Sequence, residues 1–350
     1  VVNNADINGL TDEEWEVLTR YQEIVFARAT PEQKLRIVEK FQLQGNIVGM
    51  TGDGVNDAPS LKKADVGIAM ADGSDIAKEA ADIVLLQSFS SIVDALKYGI
   101  LVFENLRKTI AYLLPAGTYA ELWPVLLNVI FGLPQALSSF NMILICCLTD
   151  CAGAITLAYE KPEKNLLLKK PRSVTGERLV DWKLFLHSYF TIGTYYAFTS
   201  MLVCFINFQR HGIPFKSLTL SYGDYGSISA DEVTAVGNVS SSIYFINLVI
   251  MQFFNLMAVR TRSLSIFQQP PIFNKTTRNY LMFAAMVFAL AMTFLFNYIP
   301  WFNTNLGTAH PPVEYYFIAV GFGAVVLIYD ETRKYFVRKY PDGLLAKMAW

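Results

Sequence analysis

Two aspartates, Asp53 and Asp57, lie in the run Thr51-Gly52-Asp53-Gly54-Val55-Asn56-Asp57-Ala58-Pro59. They are the residues of this chain best suited to chemistry. Carboxylate oxygens are hard donors that suit Mg²⁺, which takes one or two of them and fills its other positions with phosphate oxygens and water. Asn56 can hydrogen-bond a phosphoryl oxygen without repelling it. Lys34 sits in the opening turn of a helical stretch that follows another strand end, where a cation offsets phosphoryl charge. Gly52 and Gly54 allow backbone to approach a charged ligand closely. The candidate catalytic set is therefore Lys34, Asp53, Asn56 and Asp57. Within it, Asp53 and Asp57 are placed on Mg²⁺, and Lys34 and Asn56 on the phosphoryl group.

The elements around this loop read as α/β. A β-branched run at 23–29 reads as a strand. A helix is expected over 31–45, with Pro31 suited to its first turn and Gly45 to its end. The segment 46–53 reads as a strand running into the loop. "VGIAM" and "IVLL" read as further buried strands, with "DIAKEAAD" as a helix between them. Such alternation implies a Rossmann-like parallel, doubly wound sheet, whose ligands bind at the carboxyl ends of strands. Residues 1–89 are assigned to this domain and 90–112 to a stalk.

Beyond the stalk the character changes. Over the whole chain 53% of residues are hydrophobic and the mean hydropathy is +0.32. Six stretches approach the roughly 20 residues needed to cross a bilayer. They are 109–131, 138–158, 184–206, 240–259, 279–299 and 313–329, with a tail at 330–350. The loop after the second carries Lys161, Lys164, Lys169, Lys170, Arg172, Arg178 and Lys183, and the loop after the fourth carries Arg260, Arg262, Lys275 and Arg278. The alternate loops are poor in both residue types. This alternation puts residues 1–108 and the tail in the cytoplasm. The four cysteines, all in apolar stretches, do not form a secreted disulfide framework. A net charge of -1 gives no sign of nucleic acid as a partner. Ionisable groups inside spans are costly and mark function. Glu121 and Asp150 are the acids of the first two spans. Pro115, Gly117, Pro124 and Gly153 are helix breakers at the same depth, expected to free carbonyls for ions.

The stretch 51–59 resembles the TGDGVNDxP signature of the P-type ATPases. "ATPEQKLRIVE" (29–39), "FENLRKTIAY" (103–112), "LAYEKPE" (157–163), "FQQP" (267–270) and "YDETRK" (329–334) extend the resemblance over essentially the whole chain. The branch it is most similar to is that of the sodium/potassium and proton/potassium pumps. The resemblance implies a haloacid-dehalogenase-like phosphorylation domain, an aspartyl-phosphate intermediate, ATP and Mg²⁺ as cofactors, and a plasma-membrane location. The family's DKTG motif, which holds the phosphorylated aspartate, does not occur. The chain is therefore expected to be the C-terminal third of a pump and inactive alone.

For transport, the resemblance implies monovalent cations bound by Glu121, Thr149, Asp150 and Asn255. Cys146 and Asn255 stand where sodium/potassium pumps carry aspartates, and Gly153 where they carry proline, so fewer bound charges are expected. "SYGDYG" (221–226) is similar to the stretch that holds a β-type subunit, which is the partner implied there. The paired tyrosines of the sodium/potassium pump tail are missing from the last residues, so a gate built from them is expected to be absent. Two alternatives stay open: a calcium pump of the same superfamily, and a phosphatase-like or regulatory membrane protein that does not pump.

Overall fold

The computed structural model describes residues 1–86, 89–163 and 178–350. Lys164, Lys169, Lys170 and Arg172 of the basic loop lie outside them. The chain divides into two compact units, Val1–Gly99 and Ile100–Trp350.

In the first unit the elements run β1 (Val2–Asn3), α1 (Asn4–Gly9), α2 (Asp12–Leu18), β2 (Phe26–Ala27), α3 (Pro31–Leu43), β3 (Gly49–Gly52), α4 (Ala58–Lys63), β4 (Val66–Met70), α5 (Asp75–Ala80) and β5 (Ile83–Leu85). All strand pairings are parallel, but they form two pieces: β1 with β2, and β3–β4–β5. The single sheet expected from the strand–helix alternation is thus divided. The strand expected over 23–29 shrinks to two residues, because Arg28 turns left-handed at φ 58° and Thr30 caps the next helix. That cap is reciprocal. The Gln33 amide N–H donates to Thr30 Oγ1 at 3.3 Å, and Thr30 N–H donates to Gln33 Oε1 at 2.9 Å. Gly45, at φ 78°, follows the helix end as expected. Leu61, Ala69 and Ala77 form the buried core against which α4, β4 and α5 pack.

Asp65 ties the start of β4 to the strand before the loop. Its carboxylate accepts from Val48 N–H at 2.8 Å and from Gln42 Nε2 at 3.1 Å. The Val48 bond first, and the Gln42 bond second, hold its pKa below the ordinary 3.8. A carboxyl depressed in the fold stabilises it above the unfolded pKa, and that contribution disappears as pH falls through the folded value. Unfolding followed below about pH 4 should therefore show an acid destabilisation that Asp65→Asn removes. An unchanged acid limb in the variant would refute this.

The second unit is helical. Among the described residues, six helices are long and apolar enough to cross a membrane: Ser91–Phe131, Ser139–Ala158, Trp182–Arg210, Ala230–Val259, Tyr280–Tyr298 and Glu314–Lys339. We call them the first to sixth spans; the first begins in the first unit. The expected breaks in the first two are widened turns, not unwound segments. Residues Pro115–Ala120 and Ile145–Asp150 are π-helical, and Pro124 sits inside an otherwise regular helix. Pro115 has no N–H to continue the α-helical ladder, which favours a wider turn there. The first two spans join through Gly132, left-handed at φ 62°.

The fourth and sixth spans are longer than their apolar runs. The fourth starts at Ala230, ten residues before the expected 240. The sixth continues past 329 to Lys339, so the expected start of the tail is not a structural boundary. Charges that read as a tail are interior. Lys334 is fully buried, pairs with Asp330 at 2.5 Å and donates to Ala258 O at 2.7 Å. Nearby, Glu160 and Arg260 form a buried two-pronged ion pair at 2.8 and 3.0 Å. Each charge there is matched, as burial requires.

Candidate phosphoryl and cation sites

The loop after β3 places the first set of residues. Asp53 follows the last residue of β3, at the carboxyl end of the strand. Residues 55–57 make one 3₁₀ turn that leads into α4. Gly52 has no substitute here. A Cβ on it would stand 2.5 Å from Asp57 Cβ and 2.9 Å from its carboxylate. Asp57 is buried beneath this turn. Its Oδ1 meets Lys34 Nζ at 2.5 Å, and its Oδ2 accepts from Gly54 N–H at 3.3 Å.

Two sequence-derived residues, Lys34 and Asp57, are thereby brought together from α3 and the loop. Asp53 and Asn56 are exposed on the same turn. Among the described residues, neither side chain makes a hydrogen bond. Asp53 thus offers free hard oxygens at a strand end, where Mg²⁺ fits. Asp57 already holds a lysine, so its oxygens are shared between that cation and any metal.

The second set lies inside the helical unit, beside the two π-helical turns. The first of these turns ends immediately before Glu121, and the second ends at Asp150. Cys146 Sγ–H lies 3.3 and 3.5 Å from the two Glu121 oxygens and 3.4 Å from Gly117 O. Gly117 faces Asp150 and Cys146. The place its Cβ would occupy is 3.5 Å from both Asp150 Oδ2 and Cys146 Sγ. Asp150 is 1% exposed.

Gln252 of the fourth span donates to Asp150 Oδ2 at 3.2 Å and to Tyr112 O at 3.1 Å, and accepts from Asn255 Nδ2 at 2.9 Å. Asn255 therefore reaches Asp150 only through Gln252. Thr149 does not point at the acids with its hydroxyl, which donates to Ile145 O of its own helix at 3.1 Å. Gly153 leaves room for Tyr112, whose ring Cζ stands 2.7 Å from where a Cβ would be.

Gln252 is the member that the sequence reading missed. Its signal was a lone amide in the apolar run "VIMQFF", visible to a search for buried polar groups and invisible to one for ionisable groups alone. Cys146 gains a clearer place as the donor that satisfies Glu121.

On the far side of the same bundle, Ser221 Oγ donates to Gly132 O at 3.0 Å and Tyr222 Oη donates to Ile130 O at 2.8 Å. The 221–226 loop is thus sewn to the turn between the first two spans. Tyr222 takes a left-handed φ of 46°, and a cleft of about 580 Å³ opens beside it.

Comparison with known proteins agrees with both halves. A family model described as the C-terminus of cation-transporting ATPases matches residues 134–336. One described as haloacid dehalogenase-like hydrolase matches residues 3–65. The potassium-transporting ATPase alpha chain 2 of Rattus norvegicus is 40% identical over 97% of this chain and 34% of its own length. The sodium/potassium-transporting ATPase subunit alpha-B of Artemia franciscana is 36% identical over 98% of this chain and 35% of its own. Human sodium/potassium-transporting ATPase subunit alpha-2 is 35% identical over 99% and 35%. The chain spans about a third of the length of these relatives. A haloacid dehalogenase-like segment followed by six membrane-capable helices among the described residues, with two acids beside their π-helical turns, fits an integral membrane protein: the chain belongs to the cation-transporting ATPase family, whose members are P-type ATPases.

Proposed function

We propose that the chain is the C-terminal part of a pump that hydrolyses ATP through an aspartyl phosphate and moves monovalent cations across a membrane. The observation that carries this reading is the run of contacts from Glu121 through Cys146 to Gly117 and Asp150 in the second unit. One buried and one half-buried acid, with no basic side chain among their hydrogen-bond partners in the described residues, need cations or protons to balance them. Relatives named for potassium and for sodium/potassium transport support the monovalent assignment. Cys146 and Gln252 hold the acids in place. In this reading Asn255 supports the site through Gln252, and Thr149 contributes only if its hydroxyl rotates.

At the phosphoryl site, Mg²⁺ when bound neutralises charge on the transferring group. Asp53 supplies its free carboxylate to that ion. Asp57 orients Lys34, and Lys34 meets the phosphoryl charge, with Asn56 as a neutral donor beside it. The helix starting at Ser91 is the proposed mechanical link to the cation site. Residues 1–108 and the segment after Lys339 are assigned to the cytoplasm, and the plasma membrane is the proposed location. A β-type subunit is the proposed partner at 221–226.

The test is phosphorylation of the full-length protein by ATP, cation by cation. A hydroxylamine-sensitive phosphoenzyme whose level responds to Na⁺, K⁺ or H⁺ is expected. Absence of any ATP-derived phosphoenzyme would favour a non-pumping protein, and a response to Ca²⁺ alone would favour a calcium pump.

Gly117 gives a sharper check on the site. A methyl there meets Asp150 and Cys146 at ordinary contact distance, so Gly117→Ala should keep cation stimulation. Gly117→Leu places a branched chain against Asp150 and Cys146 and should abolish it, while the protein still inserts. Equal stimulation in both variants would place the cations elsewhere.

A further inference from the structure

The loop joining the fourth and fifth spans is bonded to the protein through part of its polar groups, while Gln268, Asn274, Lys275, Thr276 and Arg278 are exposed along with its phenylalanines. Ile266 N–H donates to Glu331 Oε1 at 2.9 Å, and Arg260 donates to Gln269 O at 3.3 Å and Thr277 O at 2.9 Å. Thr277 Oγ1 donates to Pro270 O at 2.9 Å, and Asn279 N–H to Pro271 O at 3.0 Å. Yet Phe267 is 87% exposed and Phe273 91% exposed. A fixed loop that holds two phenylalanines outward gains nothing from them in water, and such surfaces mark contact with an apolar phase.

The surroundings identify that phase. Phe267 shares a recess of about 400 Å³ with Leu327, Ile328 and Tyr335 of the sixth span. Ile328 is 65% exposed on a helix long and apolar enough to cross a membrane, where an outward apolar face suits lipid. Phe267 therefore opens onto the lipid side of the bundle. Lys275 and Arg278 follow Phe273 in the loop, and Arg278 lies 5.2 Å over the ring of Tyr280, the first residue of the fifth span. Aromatic rings with adjacent basic residues at span ends are the composition of a membrane–water interface.

We propose that residues 263–279 form an interfacial membrane anchor, in which Phe267 and Phe273 insert into the boundary between lipid headgroups and acyl chains. Because the same loop is bonded to Arg260 and Glu331, insertion fixes the depth at which the fourth and sixth spans end. The inference rests on the six spans and not on which ion is moved.

The test is photocrosslinking. The full-length protein would carry p-benzoylphenylalanine at position 267 or 273, reconstituted in vesicles of phosphatidylcholine and phosphatidylserine. Position 328 serves as the lipid-facing reference, and position 12, on the soluble unit, as the water-facing one. Phospholipid adducts at 267 and 273 in yields comparable to position 328, and none at position 12, are expected. Adducts at position 328 alone, or crosslinks from 267 and 273 to a protein segment, would overturn the proposal.

Discussion

Lys34→Ala in the full-length protein should slow phosphoryl transfer by about 10²–10³, the usual cost of removing one preorganised charge contact. The structure sharpens the reason. Lys34 is held by Asp57, a buried carboxylate whose other oxygen caps the Gly54 N–H. Removing the lysine deletes the cation and leaves that carboxylate without its partner, so the loop loses charge balance and orientation together. Asp53→Asn should lose most phosphoenzyme turnover while leaving Lys34 and Asp57 in place, because Asp53 bonds to neither. The check is the rate of phosphoenzyme formation and decay at saturating ATP and Mg²⁺. If Lys34→Ala slows it by less than about tenfold with unchanged ATP affinity, the lysine is only the surface partner of Asp57.

Neutralising the cation site should have the other large effect. Asp150→Asn and Glu121→Gln should each raise the cation concentration for half-maximal stimulation by about tenfold or more, since one lost charge contact near the midplane exceeds the 1.4 kcal/mol of a decade. Asp150→Asn should be the more severe. Asp150 is 1% exposed whereas Glu121 is half-buried, so the charge lost at Asp150 is the less screened of the two. Cys146 and Asn255 stand where carboxylates are expected in sodium/potassium pumps, so the site should bind fewer positive charges per cycle than those pumps. Unchanged cation affinity in both variants would remove the site from Glu121 and Asp150.

Much of this was legible in the sequence for identifiable reasons. The six apolar runs are set by hydrophobicity, which needs no tertiary context. The Asp53–Asp57 loop is set by its glycines and by the proline that opens α4. The Lys34–Asp57 contact was not legible, because the two residues come from elements whose packing no local pattern encodes. Gln252 was missed because it carries no formal charge and, unlike Asn255 in the same helix, no resemblance singles it out. The sixth span was cut short at 329 because Asp330, Arg333 and Lys334 look like water-facing charges. In the fold they satisfy one another and the end of the fourth span. The strand expected over 23–29 comes out shorter, since a β-branched run does not reveal the left-handed turn at Arg28 that ends it.

The most direct measurement is ATP-driven flux of one cation at a time into vesicles containing the full-length protein, with Ca²⁺ as comparator and Asp150→Asn as control. Transport of Na⁺, K⁺ or H⁺ that requires ATP and Mg²⁺ and stops in the variant is the expected result. Flux of Ca²⁺ alone, or monovalent flux that persists undiminished in Asp150→Asn, would contradict a monovalent-cation pump built on Glu121 and Asp150.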